Sequence, residues 1–273
     1  MAVTLRGAPT FNLDGYVARC GGVSLSEFPW DDVPRYPLSA DTLRALRYMQ
    51  DIESHTIIYL RELLATRAVE DPDVAVFLAC WVYEETLHGL AIARFLEASG
   101  QPLPPRPRPH GREPWGQRLQ AAAIALISRV WPHFCAAHMT WGAINEMTAL
   151  TSYRRLAAVA GHPVLSRLLE RIALDEARHF YFYYRQAQIR LERPGAARIT
   201  RLLVNGFWGP VGTGVQPLRE RLFLTTYLFS GAEGGAAARQ IDEPIKRLPG
   251  LAGARLMEAW MQRTAAARRE SRR

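Results

Sequence analysis

The stretch VYEETLHGLAIARFLEASG, residues 82–100, decides the fold. Its apolar residues recur at helical spacing, and it closes on a glycine, a common helix stop. Yet Glu84, Glu85 and His88 sit among large apolar side chains. Glu85 and His88 are three positions apart, so they lie about 60° apart around a helix and project from one face. The pattern recurs in ALDEARHFYFYY, residues 173–184, as Glu176 and His179. Two of the seven histidines thus follow a glutamate by three positions, each in the middle of an apolar helix. An isolated Glu-x-x-His is weak evidence; two of them in buried helices point to a shared site.

Such a site in a helical bundle needs one carboxylate from each of two further helices. MQDIESHTII, residues 49–58, supplies Glu53 on the stripe Leu46, Met49, Ile57, Leu60. WGAINEMTAL, residues 141–150, supplies Glu146 on the stripe Met139, Gly142, Leu150, Tyr153. Each buried charge costs several kcal/mol unless compensated, so four acids and two imidazoles in one core call for cations. Four carboxylates and two histidines suit two iron ions, with manganese possible at one or both positions, better than a tetrahedral zinc. The leading glutamates are 32, 61 and 30 residues apart, as expected for two antiparallel hairpins with an insertion between them. Glu84 and Asp175, each just before a motif glutamate, are candidate partners for the ring N–H of the histidine on the facing helix.

Asp71-Pro72 marks a helix start. Residues 39–67, 71–100, 115–160 and 163–191 read as the long helices, with Pro132 kinking or splitting the third. Residues 101–114 form a Pro/Arg-rich linker. The expected class is all-α: a ferritin-like four-helix bundle with additional C-terminal helices. The expected layout is an extended arm over 1–38, a di-metal core over 39–192 and a helical extension over 193–273, whose last helix runs from about 251 to 268.

The 273-residue chain carries a formal charge of +8, almost all of it arginine, since Lys246 is the only lysine. That balance favours acidic partners, and no nucleic-acid motif is present. Cys20, Cys80 and Cys135 are scattered and odd in number and imply no disulfide framework, no apolar run spans a bilayer, and the N-terminus lacks a signal-peptide pattern, so a cytoplasmic protein is expected. The aromatic run 180–184 suggests burial on several sides and a homodimer interface. His133 and His138 read as structural histidines. Trp81 and Tyr183, each one turn from a motif residue, read first as core aromatics and second as electron relays or channel walls.

These motifs resemble the ferritin-like di-iron carboxylate superfamily, and within it the soluble acyl-acyl carrier protein desaturases. YEETLHG is similar to the E-E-N-R-H-G motif of that family and DEARH to its D-E-K-R-H motif, over about residues 40–192. The resemblance implies that Glu53, Glu85, His88, Glu146, Glu176 and His179 ligate the metals. It also implies oxygen-dependent removal of two hydrogens from an acyl chain, with acyl carrier protein and a ferredoxin-type donor as acidic partners. Two departures stand out: Ala149 occupies the position where the desaturases carry a threonine, and the C-terminal part differs. Ribonucleotide reductase small subunits place a tyrosine where Ile92 stands, and arylamine N-oxygenases a histidine where Ile172 stands. Hydroxylation or N-oxidation, and ferritin-like iron binding, are the alternative readings.

Overall fold

The computed structural model describes residues 11–102, 115–210, 212 and 215–270; most of the Pro/Arg-rich linker lies outside them. Every regular element among the described residues is helical: α1 Leu13–Val17, α2 Ala40–Leu64, α3 Pro72–Ala98, α4 Trp115–Val130, α5 Phe134–Ala160, α6 Pro163–Leu191, α7 Ala196–Phe207, α8 Leu218–Phe229, α9 Gly231–Lys246 and α10 Leu256–Glu270.

Local chemistry sets the boundaries. The Ser39 hydroxyl accepts from the Thr42 N–H at the start of α2. The Asp71 carboxylate accepts from the N–H groups of Asp73 and Val74, and Pro72 occupies the first turn of α3; such a cap is worth about 1 kcal/mol. Between α4 and α5 the chain breaks at Trp131-Pro132, as the missing proline N–H requires. Gly161 turns in the left-handed region, and the His162 ring accepts from the Leu165 N–H to open α6.

The two-residue connection makes α5 and α6 an antiparallel hairpin, and α2 pairs with α3 across the short 3-10 turn Arg67–Glu70. Contacts of α3 with α6 and of α2 with α5 close the bundle. α7, α8 and α9 cover α5, while α10 packs on α9. The last helix begins later than its periodicity suggests. The buried Asp242 carboxylate accepts from the N–H groups of Met257 and Glu258, fixing the first turn there, and residues 251–255 form turns around Gly253.

The segment before α2 is more structured than an extended arm. It contains α1 and two 3-10 turns, Leu25–Glu27 and Trp30–Arg35, and it packs on α3 and α6. Phe11 and Tyr16 join the aromatic core of Phe77 and Phe182, whose rings stack at 3.8 Å. Phe182 and Tyr183 of the aromatic run are therefore buried within one chain, and that burial needs no second copy. No helix among the described residues is long and apolar enough to cross a membrane.

Candidate metal centre

Each helix of the bundle brings its acid to the same depth. Glu53 comes from α2, Glu85 and His88 from α3, Glu146 from α5, and Glu176 and His179 from α6; all six are buried. They form two groups of four, in each of which the ligand atoms lie within 4.8 Å of one another. One group is Glu53, Glu85, His88 and Glu176; the other is Glu85, Glu146, Glu176 and His179. Glu85 and Glu176 belong to both groups. Glu53 with His88, and Glu146 with His179, complete one group each. The six side chains could therefore hold two cations, with Glu85 and Glu176 available to both.

The hydrogen bonding makes the same point. Glu53 Oε2, Glu85 Oε1, both oxygens of Glu176, and Nδ1 of His88 and of His179 are buried without a hydrogen-bond partner. Orphaned buried polar atoms are rare and costly. Here they converge, and all are metal-ligating types. The His88 Nδ1 lies 3.3 Å from Glu176 and 3.8 Å from Glu53. The His179 Nδ1 lies 3.2 Å from Glu85 and 3.8 Å from Glu146.

The opposite ring nitrogens are held from outside. His88 Nε2 meets Asp175 Oδ2 at 3.2 Å, and His179 Nε2 meets Glu84 Oε2 at 2.8 Å. Each contact crosses between α3 and α6, so each helix supplies the carboxylate that orients the other's histidine. A ring that donates through Nε2 to a carboxylate presents Nδ1 as a lone pair inward. Arg178 donates to Asp175 at 2.6 Å and to Glu84 at 3.0 Å, while Arg171 donates to Asp175 at 2.7 Å. The N-terminal segment takes part as well. The Tyr16 hydroxyl donates to Glu84 at 2.7 Å, and the Gly22 carbonyl accepts from Arg171.

The electrostatics follow from this geometry. Burial, then the charges of Glu85 and Glu176, push the Glu53 carboxyl well above the usual range; burial, then Glu176 and Glu85, do the same to Glu146. Burial would raise Glu84 and Asp175 too, but the bonds from His179 and His88 and the arginine charges hold both low. Burial is likewise outweighed at Glu176, which the two histidines hold low. Burial opposes charge on His88, yet Asp175 and Glu176 push it up to about 9; His179 is raised against the same opposition by Glu176, Glu84 and Glu85.

Several contributors are not marked by the sequence as partners of the site. Tyr16 lies in a segment without helical period. Tyr153, on the Glu146 stripe, donates to Glu53. Gly22, at φ +30°, lets the chain pass directly over Asp175, and a Cβ there would overlap its carboxylate. Gly22→Ala is expected to displace Asp175, loosen His88 and weaken metal binding by about 10- to 100-fold. A metal titration checks this, with circular dichroism to establish that the helices persist.

Other sequence expectations resolve plainly. His133 and His138 join neither ligand group; the His138 ring stacks on Phe134 at 5.8 Å, as a structural residue does. His55 turns to the Asp51 carbonyl. Ala149 lines a small cavity of about 50 Å³ together with Met49, Glu53, Tyr153, Arg221 and Leu224. Thr148 also lines it, with its hydroxyl bonded to the Ile144 carbonyl at 2.7 Å.

Fold and site together define a ferritin-like helical bundle built around two carboxylate-histidine groups. No family model matches the chain, and no curated protein matches it. Solved structures do. An R2-like ligand-binding oxidase with an aerobically reconstituted metal cofactor after photoconversion aligns with a TM-score of 0.57 at 16% identity, over 96% of this chain and 93% of that one. A mutant R2-like ligand-binding oxidase with an aerobically reconstituted Mn/Fe cofactor aligns with a TM-score of 0.56 at 16% identity, over 98% of both chains. An R2-like ligand-binding oxidase with an aerobically reconstituted Mn/Fe cofactor after a long soak aligns with a TM-score of 0.55 at 16% identity, over 95% and 91%. At this identity the likeness establishes the fold.

Proposed function

We propose that Glu53, Glu85, His88, Glu146, Glu176 and His179 bind two iron ions, or one manganese and one iron, and that the protein is an oxygen-dependent oxidoreductase. The observation carrying this reading is the sharing of Glu85 and Glu176 by both four-ligand groups. The structural neighbours, oxidases described with a Mn/Fe cofactor, support it. Such a pair, when reduced, activates oxygen for attack on an unactivated C–H bond. The chain's own part is to hold the ions, orient the histidines through Asp175 and Glu84, and exclude water with the Phe77 and Phe182 aromatic core.

For the substrate we propose an acyl chain. The cavity wall of Met49, Ile52, Ala149, Leu224, Phe229 and Met257 is apolar and reaches Glu53, which suits an aliphatic tail. Acyl-carrier linkage and a ferredoxin-type donor fit the +8 charge, since both partners are acidic. Desaturation is the first reading. Hydroxylation is the second, favoured by Ala149 in place of the threonine of the resembled desaturases. A homodimer is proposed by analogy with ferritin-like assemblies.

The test has two stages: metal content per chain, then oxygen uptake and mass spectrometry of acyl products with acyl-carrier-linked and free substrates. A two-hydrogen loss supports desaturation and an added oxygen supports hydroxylation. Oxygen uptake without any change in an acyl chain rejects the substrate class.

A further inference from the structure

From the order of the aromatic rings we infer that Trp81 and Tyr59 form a built-in route by which electrons reach the metal centre from the protein surface; this rests on the metal-binding reading above. Trp81 is on α3, one turn before Glu85. Its ring meets Tyr183 at 6.2 Å, edge to face, and Tyr183 is one turn after His179 on α6. The indole is thus one helical turn, about 5.4 Å of rise, from a ligand on its own helix, and it touches the residue one turn from a ligand on another. Trp81 also meets Tyr59 of α2 at 6.3 Å, edge to face. Trp81 is 5% exposed and Tyr59 41%, so the series runs from the buried site to solvent in two ring contacts.

Two features distinguish this series from ordinary core packing. Gly142, one turn before Glu146, has no Cβ, and a Cβ there would overlap the Tyr183 ring. The missing side chain seats that ring beside the ligand helix. Second, the Trp81 Nε1–H is buried with no hydrogen-bond partner among the described residues. Among the described residues no group hydrogen-bonds to that N–H to take its proton on oxidation. An indole that keeps its proton is a cation, which favours rapid replacement of the electron from the neighbouring phenol. The exposed Tyr59 can lose its proton to water.

The balanced step is a one-electron transfer. Tyr59 gives up one electron and, to bulk water, its hydroxyl proton, and becomes a neutral phenoxyl radical. The electron passes through Trp81, across the Tyr183 contact, to the metal pair, which is reduced by one. The oxidant is the metal pair after reaction with oxygen in the absence of an acyl substrate. The route would protect the ligands by moving an unused oxidising equivalent to the surface.

The test compares wild type, Tyr59→Phe and Trp81→Phe, each loaded with iron, reduced, exposed to oxygen without substrate, freeze-quenched and read by electron paramagnetic resonance with ring-deuterated tyrosine. Wild type is expected to show a tyrosyl signal that disappears in Tyr59→Phe, with a tryptophanyl signal in its place, and that is lost in Trp81→Phe. A tyrosyl signal unchanged in either variant overturns the route. Denaturation curves establish that Trp81→Phe folds; Tyr59 is exposed enough for its variant to fold. A second measurement needs no metal. A ruthenium photo-oxidant attached to Cys80 in a Cys20→Ser, Cys135→Ser background oxidises Trp81 by light. The indole radical is expected to decay several-fold faster with Tyr59 than with Phe at that position, and equal decay overturns the route. If the chain fails to take up iron, the metal reading fails while the second measurement still decides this one.

Discussion

Glu176→Ala is expected to purify with almost no metal at either position, whereas Glu146→Leu should keep one. Both four-ligand groups contain Glu176, so its loss removes a ligand from each and removes one of the two bridges. It also removes the carboxylate nearest to His88 Nδ1. Glu146 belongs to one group only, and its loss leaves Glu53, Glu85, His88 and Glu176 in place. The expected content is about two ions per chain for the wild type, about one for Glu146→Leu and close to zero for Glu176→Ala. Glu85→Ala should match Glu176→Ala, because Glu85 is the other shared ligand. Global misfolding is separable from ligand loss. Burial and the charges of Glu176 and Glu85 already disfavour the ionised Glu146. In the metal-free fold an ionised carboxylate buried beside like charges costs free energy, and leucine removes that cost. The metal-free Glu146→Leu protein should therefore resist denaturation at least as well as the metal-free wild type. Elemental analysis with denaturant unfolding of both forms checks the prediction; equal metal loss in Glu146→Leu and Glu176→Ala would refute the shared-bridge arrangement.

Metal affinity should rise steeply with pH, and the metal-free and metal-loaded proteins should respond to pH in opposite senses. Ligation requires the lone pair on His88 Nδ1 and ionised carboxylates at Glu53 and Glu146. In the metal-free fold all three groups hold their protons more tightly than usual, with His88 at about 9. Protons must therefore leave as metal enters, and each one contributes about tenfold in affinity per pH unit. Between pH 8 and pH 6 the affinity is expected to fall by at least about a hundredfold for a single linked proton. The stability sign follows from the same shifts. A histidine whose folded value is raised stabilises the fold fully below its unfolded value of about 6.5 and loses that contribution as pH climbs through about 9. The raised carboxyls act in the same direction over their own windows. The metal-free protein thus loses stability between pH 6.5 and 9, while the loaded protein gains through tighter binding. Competition titrations at three pH values, with thermal unfolding of both forms, decide it. A pH-independent affinity would contradict the proton balance.

The candidate ligand set is readable from the sequence because helical geometry is short-range. Glu85 with His88, and Glu176 with His179, are fixed by three-residue spacing on one face, and Glu53 and Glu146 by stripes of apolar neighbours. Glu84 and Asp175 are readable for the same reason, since each directly precedes a motif glutamate. The helix break at Pro132 and the cap at Asp71 follow from backbone chemistry alone. What escapes depends on long-range placement. Tyr16 reaches Glu84 across 68 positions, and nothing in FNLDGYVARCGG announces it. Gly22 passes over Asp175, and Tyr153 reaches Glu53 across 100 positions. The start of α10 is not legible in its own periodicity because Asp242, a residue of another helix, supplies the capping carboxylate. Substrate identity is hardest to read, since the cavity wall combines α2, α5, α8 and single residues such as Pro210 and Met257.

Anomalous X-ray diffraction from crystals of the metal-loaded protein, collected at the iron and manganese absorption edges, tests the central claim most directly. Two anomalous peaks per chain are expected, both contacted by Glu85 and Glu176, one completed by Glu53 and His88 and the other by Glu146 and His179. A single peak, or peaks lying away from these six side chains, would contradict it.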